Sequence, residues 1–370
     1  MTRVAIVGAG PIARATAAYL VHHGHTAAIW SPSGKDAAPL LARGGKSGQG
    51  KIAYTGALSG EATVTILEQP EAVGEYAVVI IALPGHAYTG VLPRVLPSIR
   101  ADQLVIASGA LSLMPLWIHE RAGNGLARPT VASWGTTLGT ARRVAHADVE
   151  ISTIRSQFEV AAIPATAGAH VLALCQELFG DRFRLVPSIL ATALSNINPV
   201  AHAAEALPNL TRMERGEQWF LFECVTPAAA RIAEAIDAER IAIARAYGLE
   251  VRSLAEHCHL SYHVPRGTIA EMFAAIHARD RAPAGPKTLE HRYILEDMPY
   301  GLVFYELLAR AANVAVPVMS AAITFASAAY GRDFRSENAL VADLGLDTIA
   351  PLDLLARCAG NNVPTIHTDE

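Results

Sequence analysis

The sequence predicts an α/β domain with a doubly wound parallel sheet, followed by an all-α domain. In the first ~110 residues, short β-branched runs alternate with alanine-rich amphipathic stretches, a pattern typical of a parallel sheet covered by helices. After about Ser188 the chain consists of long stretches rich in Ala, Leu and Ile without strand alternation. A chain of 370 residues is long enough for two domains. We expect them over residues 1–187 and 188–370.

The predicted strands and helices follow this division. The early strands are predicted at Arg3–Val7, Thr26–Trp30, Ala77–Ala82 and Gln103–Ser108, with a helix from Ile12 to His22 between the first two. The sheet is expected to continue through Thr130–Ser133, Glu150–Ser152, Val160–Ile163 and Phe183–Leu185, with a helix over His170–Leu178. In the second half, Thr226-Pro227 predicts a helix start and Gly248 its end. The apolar stretch Ala315–Tyr330 is interrupted by polar residues and is interpreted as a buried helix.

Composition and charge exclude several classes of function. A net charge of -4 and a pI near 6.4 provide no attraction to nucleic acid or to anionic membranes. The four cysteines are scattered without a CxxC pair, and the first strand begins without a charged leader, so a cytoplasmic protein is expected. The cluster His257, Cys258, His259 and His263 has no second ligand group after it, so we interpret it as a histidine-rich loop and expect no metal.

A glycine motif carries the first chemical signal. Gly8-Ala9-Gly10-Pro11-Ile12-Ala13 directly follows a predicted strand and opens a predicted helix. The first glycine allows a tight turn, the second lets the backbone approach a pyrophosphate, and Ala13 lets helix and strand pack closely. The phosphates would lie on the helix N-terminal amides. The motif predicts a Rossmann-type dinucleotide-binding domain; the alternative is a glycine turn without a ligand.

The end of the second strand favours NADP(H) over NAD(H). An NAD site would place an acidic residue here to accept the ribose hydroxyls, whereas this chain has Ser31, Ser33 and Lys35. Hydroxyls and a cation suit a 2′-phosphate, which a carboxylate would repel. The alternative is a solvated loop, with Asp36 still able to reach the ribose.

Two later loops follow strands at the same edge of the sheet. Leu83 and Pro84 come after the third early strand and Ser108 ends the fourth, where ligands of doubly wound sheets bind. We expect all three residues to line the cofactor. Ordinary turn formation is the alternative.

Two polar segments interrupt the apolar second half. Asn198 and His202 are four residues apart and would share a helix face. The segment His291 to Pro299 contains Arg292, a cation for a carboxylate, and Asp297, an acid that could orient a histidine. From the residues alone, a structural role is the favoured interpretation of either segment, since buried polar pairs are common.

These segments together resemble the opine dehydrogenases, the octopine and nopaline dehydrogenase family, over nearly the whole chain. The shared features are the GxGxxA, Leu83-Pro84, the Asn-Pro-x-x-His of Asn198–His202, the Asp237-x-Glu239-Arg240, and the segment Arg292 to Gly301. The resemblance implies a Rossmann domain and an all-helical domain with the active site between them. It also implies reductive condensation of an amino acid amine with a 2-oxo acid to a secondary amine dicarboxylate.

The resemblance implies that His202 and Asp297 are the catalytic pair. We further expect Arg292 to bind a substrate carboxylate and Asn198 to be a second substrate-binding residue. Small molecules are the expected partners, and a homodimer is left open. Ala203 replaces the family's usual proline after the motif histidine, so the amine and the oxo acid are not specified.

Two other functions compete with this one. Rossmann-plus-helical reductases of the ketopantoate reductase and hydroxyacid dehydrogenase type reduce a carbonyl to an alcohol, typically with a lysine proton donor on the helical domain. After Lys51 this chain has only Lys287, in a loop rich in Pro and Gly. The second alternative is a redox sensor that binds NADP(H) without turnover, but such a protein would have no use for a catalytic pair like His202 and Asp297.

Overall fold

The structure, a computed structural model, describes residues 1–122, 128–144, 147–279 and 283–361. It divides into two compact units. Of the described residues, the first unit comprises those within Met1–Ala193 and residues 355–361, and the second comprises those within Leu194–Leu354.

In the described ranges, eleven strands of the first unit form one sheet. They are β1 Arg3–Val7, β2 Thr26–Trp30, β3 Gln49–Gly56, β4 Gly60–Leu67, β5 Val78–Ile81, β6 Leu104–Ala107, β7 Thr130–Trp134, β8 Gly139–Arg143, β9 Val149–Ile154, β10 Phe158–Ile163 and β11 Phe183–Leu185. Their order is β11-β10-β7-β6-β5-β1-β2-β4-β3-β9-β8. From β7 through β4 all neighbours are parallel, and the chain reverses its direction of progress at β1. The predicted doubly wound sheet is confirmed.

Helices of the first unit cover this sheet. They are α1 Pro11–His22, α2 Ala38–Gly44, α3 Tyr88–Val95, α4 Met114–Arg121, α5 Gly168–Phe179 and, at the boundary with the second unit, α6 Ile189–Leu194. The inner strands are apolar on both faces: β1, β5 and β6 are buried along nearly their whole length. Gly24 has φ +83°, as a left-handed residue after α1 requires.

The second unit is helical, as predicted. Its helices are α7 Asn198–Ala206, α8 Leu210–Glu214, α9 Pro227–Ala246, α10 Leu254–Tyr262, α11 Ile269–His277, α12 Arg292–Leu295, α13 Val303–Ala311, α14 Pro317–Tyr330, α15 Ala339–Asp343 and α16 Pro351–Cys358, which runs on into the first unit. A π-helical turn, Met298–Leu302, precedes α13. None of the helices in the described ranges is long and apolar enough to cross a lipid bilayer.

Three features differ from the predictions. The hairpin β3–β4 and strand β8 were not predicted, because their alternating residues are interspersed with Gly, Lys and Thr. The histidine-rich segment is not a loop: His257, Cys258 and His259 lie in α10, with Cys258 buried, and His263 is its left-handed C-cap.

The third difference is the course of the C-terminal segment. The predicted domain 188–370 extends to the end of the chain, whereas the segment from Leu355 packs with the first unit. Arg357 forms an ion pair with Glu120 at 2.8 Å, and the Ala165 N–H donates to the Ala359 carbonyl oxygen at 3.0 Å. These contacts, made after a long helical stretch, follow no local pattern in the sequence.

Candidate active site

Four neighbouring strands of the first unit end in register. Val7 is the partner of Trp30 on one side and of Ile81 on the other, and Ile81 is the partner of Ala107. The residues that follow these strand ends therefore share one edge of the sheet; they are Gly8, Ser31, Ala82 and Ser108. Leu83 and Pro84 come next after β5, and Pro84 precedes the 3₁₀ turn Gly85–Ala87.

The turn between β1 and α1 fits a dinucleotide. Gly8 has φ +118°, and a Cβ there would lie 2.4 Å from the carbonyl oxygen of Ala82. Gly10 is the N-cap of α1, Pro11 occupies the first turn, and no side chain caps the helix or places an acid there. The first-turn amides, including that of Ile12, are thus available to an anion, and Ala13 is fully buried against the sheet.

Ser108 provides a second observation in favour of a ligand at this edge. Its side chain is buried, and its Oγ has no hydrogen-bond partner in the part of the chain that the structure describes. A buried hydroxyl without a partner costs about 1–3 kcal/mol. A polar ligand at this edge would remove that cost.

The loop after β2 carries cationic groups. Ser31 begins a turn closed by the bond from the Gly34 N–H, and Ser33 and Lys35 are exposed. Sequence reasoning missed Arg94, at the end of α3. Its guanidinium donates to the Pro32 carbonyl oxygen at 3.1 Å and lies 4.9 Å from the centre of the Trp30 ring.

Asp36 is engaged by other groups. Its carboxylate accepts a hydrogen bond from Arg143 at 2.6 Å. Its carbonyl oxygen accepts one at 2.8 Å from Arg14, which is fully buried in α1 and also donates to the Ala9 carbonyl oxygen at 3.0 Å. Arg14 therefore connects the glycine turn to the loop after β2, a role that the sequence did not indicate.

His202 and Asp297 meet in the second unit. His202 Nδ1 and Asp297 Oδ2 are 2.5 Å apart, and the two side chains are 13% and 2% exposed. Tyr293 stacks on the imidazole, with ring centroids 3.7 Å apart and an interplanar angle of 21°. No described residue is hydrogen-bonded to His202 Nε2. Asp297 thus fixes the ring at Nδ1 and Tyr293 covers one of its faces, while Nε2 can contact a reactant.

A close backbone approach brings these residues together. Gly301 lies against Pro199, and a Cβ at this glycine would be 2.3 Å from Pro199 Cγ. The Tyr305 hydroxyl, on α13, donates to the Asn196 carbonyl oxygen at 2.7 Å just before α7 begins. Pro199 and Gly301 therefore explain, as packing requirements, two of the motif positions on which the resemblance rests.

Asn198 and Arg292 lie near the pair in sequence and differ in environment. Asn198 begins α7, one turn before His202, and in the described ranges its side-chain amide has no partner. Arg292 begins α12, its side chain is 53% exposed, and it lies 3.7 Å from Glu296. Burial is the main cause that lowers the pKa of the adjacent His291 to about 4, with the charges of His202 and Arg292 acting in the same direction. His291 is therefore neutral at neutral pH.

The Asp237-x-Glu239-Arg240 segment of α9 supports the helical unit. Arg240 is fully buried; it donates to Asp237 Oδ1 at 2.6 and 3.0 Å, to the Arg252 carbonyl oxygen at 2.6 Å and to the Leu194 carbonyl oxygen. Both Glu239 oxygens accept hydrogen bonds from the first turn of α14 at 2.8 Å. This segment is structural.

Two family models match different parts of this chain. Residues 3–110 match a family model described as NADP oxidoreductase, coenzyme F420-dependent. Residues 185–330 match one described as NAD/NADP octopine/nopaline dehydrogenase, alpha-helical domain. An opine dehydrogenase of Arthrobacter sp. (strain 1C) is 30% identical over 350 residues, which cover 92% of this chain and 94% of the relative. The chain belongs to the opine dehydrogenase family.

Solved structures of opine dehydrogenases share the fold. Octopine dehydrogenase in complex with NADH and agmatine has a TM-score of 0.79 at 18% identity, covering 99% of this chain and 100% of that one. Yersinopine dehydrogenase with NADP⁺ bound has a TM-score of 0.70 at 17% identity, covering 97% and 98%.

Family membership decides between the functions that the sequence left open. As an opine dehydrogenase, the chain is an NAD(P)-dependent oxidoreductase that reductively condenses an amine with a 2-oxo acid. Small molecules are its substrates. The recognised family and the predicted fold class are confirmed.

Proposed function

We propose that His202, held by Asp297, is the acid–base group of this condensation, that Arg292 and Asn198 bind the substrates, and that NADP(H) is the preferred cofactor. The observation that carries the proposal is the 2.5 Å contact between His202 Nδ1 and a nearly fully buried carboxylate, with Nε2 left for a reactant.

The condensation requires several proton transfers. An amino acid arrives as an ammonium, which must lose a proton before its nitrogen can attack the carbonyl carbon of the oxo acid. Attack forms the C–N bond and builds negative charge on the carbonyl oxygen. That oxygen must gain two protons to leave as water, and the nitrogen, after the ammonium proton, loses a second proton to form the protonated imine or a third to form the neutral imine. The bound nicotinamide supplies the hydride that then reduces the imine carbon.

A histidine on an aspartate suits these transfers. Imidazole has a pKa near working pH, so it can take a proton from nitrogen and give one to oxygen. Asp297 fixes the ring, with its proton on Nδ1, and stabilises the imidazolium. The stacked Tyr293 ring restricts the imidazole to one plane. These contacts support His202 Nε2 as the atom that exchanges protons.

Arg292 and Asn198 are proposed to bind polar groups of the substrates. Both substrates carry a carboxylate, and a guanidinium can bind one through two parallel hydrogen bonds. Arg292 is half exposed, lies five residues before Asp297, and is 3.7 Å from Glu296. Asn198 lies one helical turn from His202 and offers both a donor and an acceptor.

Replacing Arg292 tests its role. Arg292→Lys keeps the charge and loses the planar fork, so KM for the carboxylate substrate should rise at least tenfold while kcat falls less. The matched control is Arg310→Lys, an exposed arginine paired with Asp347 at 3.5 Å in the same unit. Unchanged steady-state kinetics in Arg292→Lys would show that Arg292 is a surface residue that does not bind the substrates.

The charges after β2 support NADP(H). Ser31, Ser33, Lys35 and Arg94 offer hydroxyls and cations, and Asp36 is paired with Arg143. A 2′-phosphate bound at this loop would lie beside these cations, while the carboxylate of Asp36 is paired with Arg143. Arg94 is already held against Pro32 and Trp30, so little side-chain freedom remains to be lost on binding.

We expect a measurable preference for NADPH over NADH. A charge-assisted contact to phosphate is worth roughly 1.5–3 kcal/mol, so kcat/KM should favour NADPH by roughly tenfold to over a hundredfold. Arg94→Ala should lower that ratio about tenfold and leave kcat/KM for NADH near wild type. Arg100→Ala, an exposed arginine paired with Asp102, is the control. Equal kcat/KM values for the two cofactors in the wild type would refute the preference.

A crossed screen tests the reaction itself. NADPH oxidation is measured with each amino acid alone, with pyruvate, 2-oxoglutarate or glyoxylate alone, and with all pairs. A condensation requires both partners, whereas a carbonyl reductase needs only the oxo acid. Oxidation with an oxo acid alone at the rate of the best pair would contradict the proposed function.

A further inference from the structure

Glu205 is a buried acid that the proposed reaction does not yet use. It lies on α7, one helical turn after His202, and is 2% exposed. Its Oε2 is buried and has no hydrogen-bond partner in the part of the chain that the structure describes. An ionised carboxylate in this position would be both desolvated and unpaired, which is among the most costly arrangements in a protein interior.

The surroundings of Glu205 contain other titratable groups. His202 and Asp297 both act on its charge. Tyr293 on α12 and Cys258 on α10 are in turn affected by it. The long helix α9 also packs on α7, and its buried charges, Asp237 and Arg240, neutralise each other. Glu205 and Asp297 are therefore two acids that share one nearby imidazole.

We propose that Glu205 is a neutral carboxylic acid in the resting enzyme, and that its ionisation keeps His202 protonated as the pH rises. Glu205 acts through His202 and not on the substrate, so it is a positioning residue for the charge of the imidazole. The role rests on the proposed acid–base function of His202, and it adds a second proton site to it.

The physical reason is electrostatic. Burial raises the pKa of Glu205 to about 7; the imidazole of His202 opposes this rise and the Asp297 carboxylate adds to it. Below this pH the Glu205 carboxyl is neutral and adds no charge beside the imidazole. Above it, loss of the Glu205 proton adds a negative charge near His202, and that charge favours the imidazolium. The two sites therefore release protons as a coupled pair.

The coupling serves a reaction that moves more than one proton. Both protons that leave with the oxygen as water must pass through groups at the site, and one imidazole holds only one of them at a time. When the Glu205 carboxyl, one turn away, has lost its proton to bulk solvent, its negative charge favours the imidazolium, which is the form that gives a proton to the oxygen. Asp297, already bonded to Nδ1, is not available for this purpose.

The first test measures the titration of His202 without substrates. The ¹⁵N chemical shifts of the imidazole are followed against pH in the wild type, in Glu205→Gln and in Glu214→Gln, an exposed glutamate on α8. We expect the His202 imidazole to lose its proton about one pH unit lower in Glu205→Gln, since the stabilising charge is gone. Glu214→Gln should match the wild type. An unchanged His202 titration in Glu205→Gln would overturn the proposal.

The second test does not depend on the folding of a variant. Infrared difference spectra of the wild type between pH 6 and pH 9 should contain the carbonyl band of a buried protonated carboxyl that disappears at the higher pH; the band should be missing in Glu205→Gln. A difference spectrum of the wild type without such a band would mean that Glu205 does not change its protonation state between pH 6 and pH 9, and would also overturn the proposal.

Kinetics then separate this proposal from the proposed function. In Glu205→Gln the maximal kcat should stay within a few-fold of wild type, and the alkaline limb of its pH profile should move to lower pH. Should His202→Ala retain its kcat, the acid–base function fails although the spectroscopic coupling persists. The reverse result, a large loss in His202→Ala with uncoupled titrations, removes the role of Glu205 alone.

Discussion

His202→Ala is expected to lower kcat by about 10²–10⁴-fold. General acid–base help contributes roughly this factor, and here one imidazole serves both the attack of the amine and the departure of water. Asp297 would be left in the variant as a nearly fully buried carboxylate without its partner. The measurement is kcat with saturating amine, oxo acid and NADPH.

Two controls make the result specific. NADPH affinity, measured by fluorescence titration, should stay near wild type because the glycine turn and the loop after β2 belong to the other unit. His170→Ala, an exposed histidine on α5, should have wild-type kinetics. Asp297→Asn should lose less than His202→Ala and shift the acidic limb of the pH profile. If His202→Ala kept most of its kcat, His202 would be a core histidine.

Arg240→Met is expected to destabilise the helical unit by about 3–5 kcal/mol. Removing one partner of a buried ion pair leaves the other charge uncompensated. Here the loss would leave Asp237 without its two charge-assisted hydrogen bonds, and would leave the carbonyl oxygens of Leu194 and Arg252 without their donor. The free energy of unfolding, from urea titrations followed by circular dichroism, measures the effect.

Arg245→Met is the matched control on the same helix. Arg245 is exposed, near the C-terminal end of α9, so its replacement should change the free energy of unfolding by no more than about 0.5 kcal/mol. A loss in Arg240→Met as small as that of the control would show that the buried pair does not hold this unit together. In that case the Asp237-x-Glu239-Arg240 segment would need another explanation.

Strands and helices could be predicted where the sequence has both a strong periodicity and residues typical of element ends. The strands β1 and β2 and the helices α1 and α9 have strong periodicity and clear end signals, such as Gly24 and Thr226-Pro227, and were located within a residue or two. The β3–β4 hairpin could not be, because Lys51 and several glycines dilute an alternation that only pairing with other strands makes evident. Pairing partners distant in the chain have no local signature.

The residues of the candidate site could likewise be predicted only in part. A contact between His202 and Asp297 could be expected only through the resemblance, since 95 positions separate them. Glu205 and Arg94 were missed because their significance depends on environment: one is an acid without a hydrogen-bond partner for Oε2, and the other is a cation held beside Trp30. Sequence patterns identify residue types, whereas desolvation and charge pairing arise only in the folded chain.

The return of the chain after Leu355 has a consequence for biosynthesis. The unit that begins the chain is completed by the segment containing Arg357 and Ala359, among the last residues described. On the ribosome, therefore, the nucleotide-binding sheet is translated before the segment that supplies these native contacts. A nascent chain arrested before Leu355 would expose the surfaces around Glu120 and Ala165 to proteases and chaperones, although every strand of the sheet had already been translated.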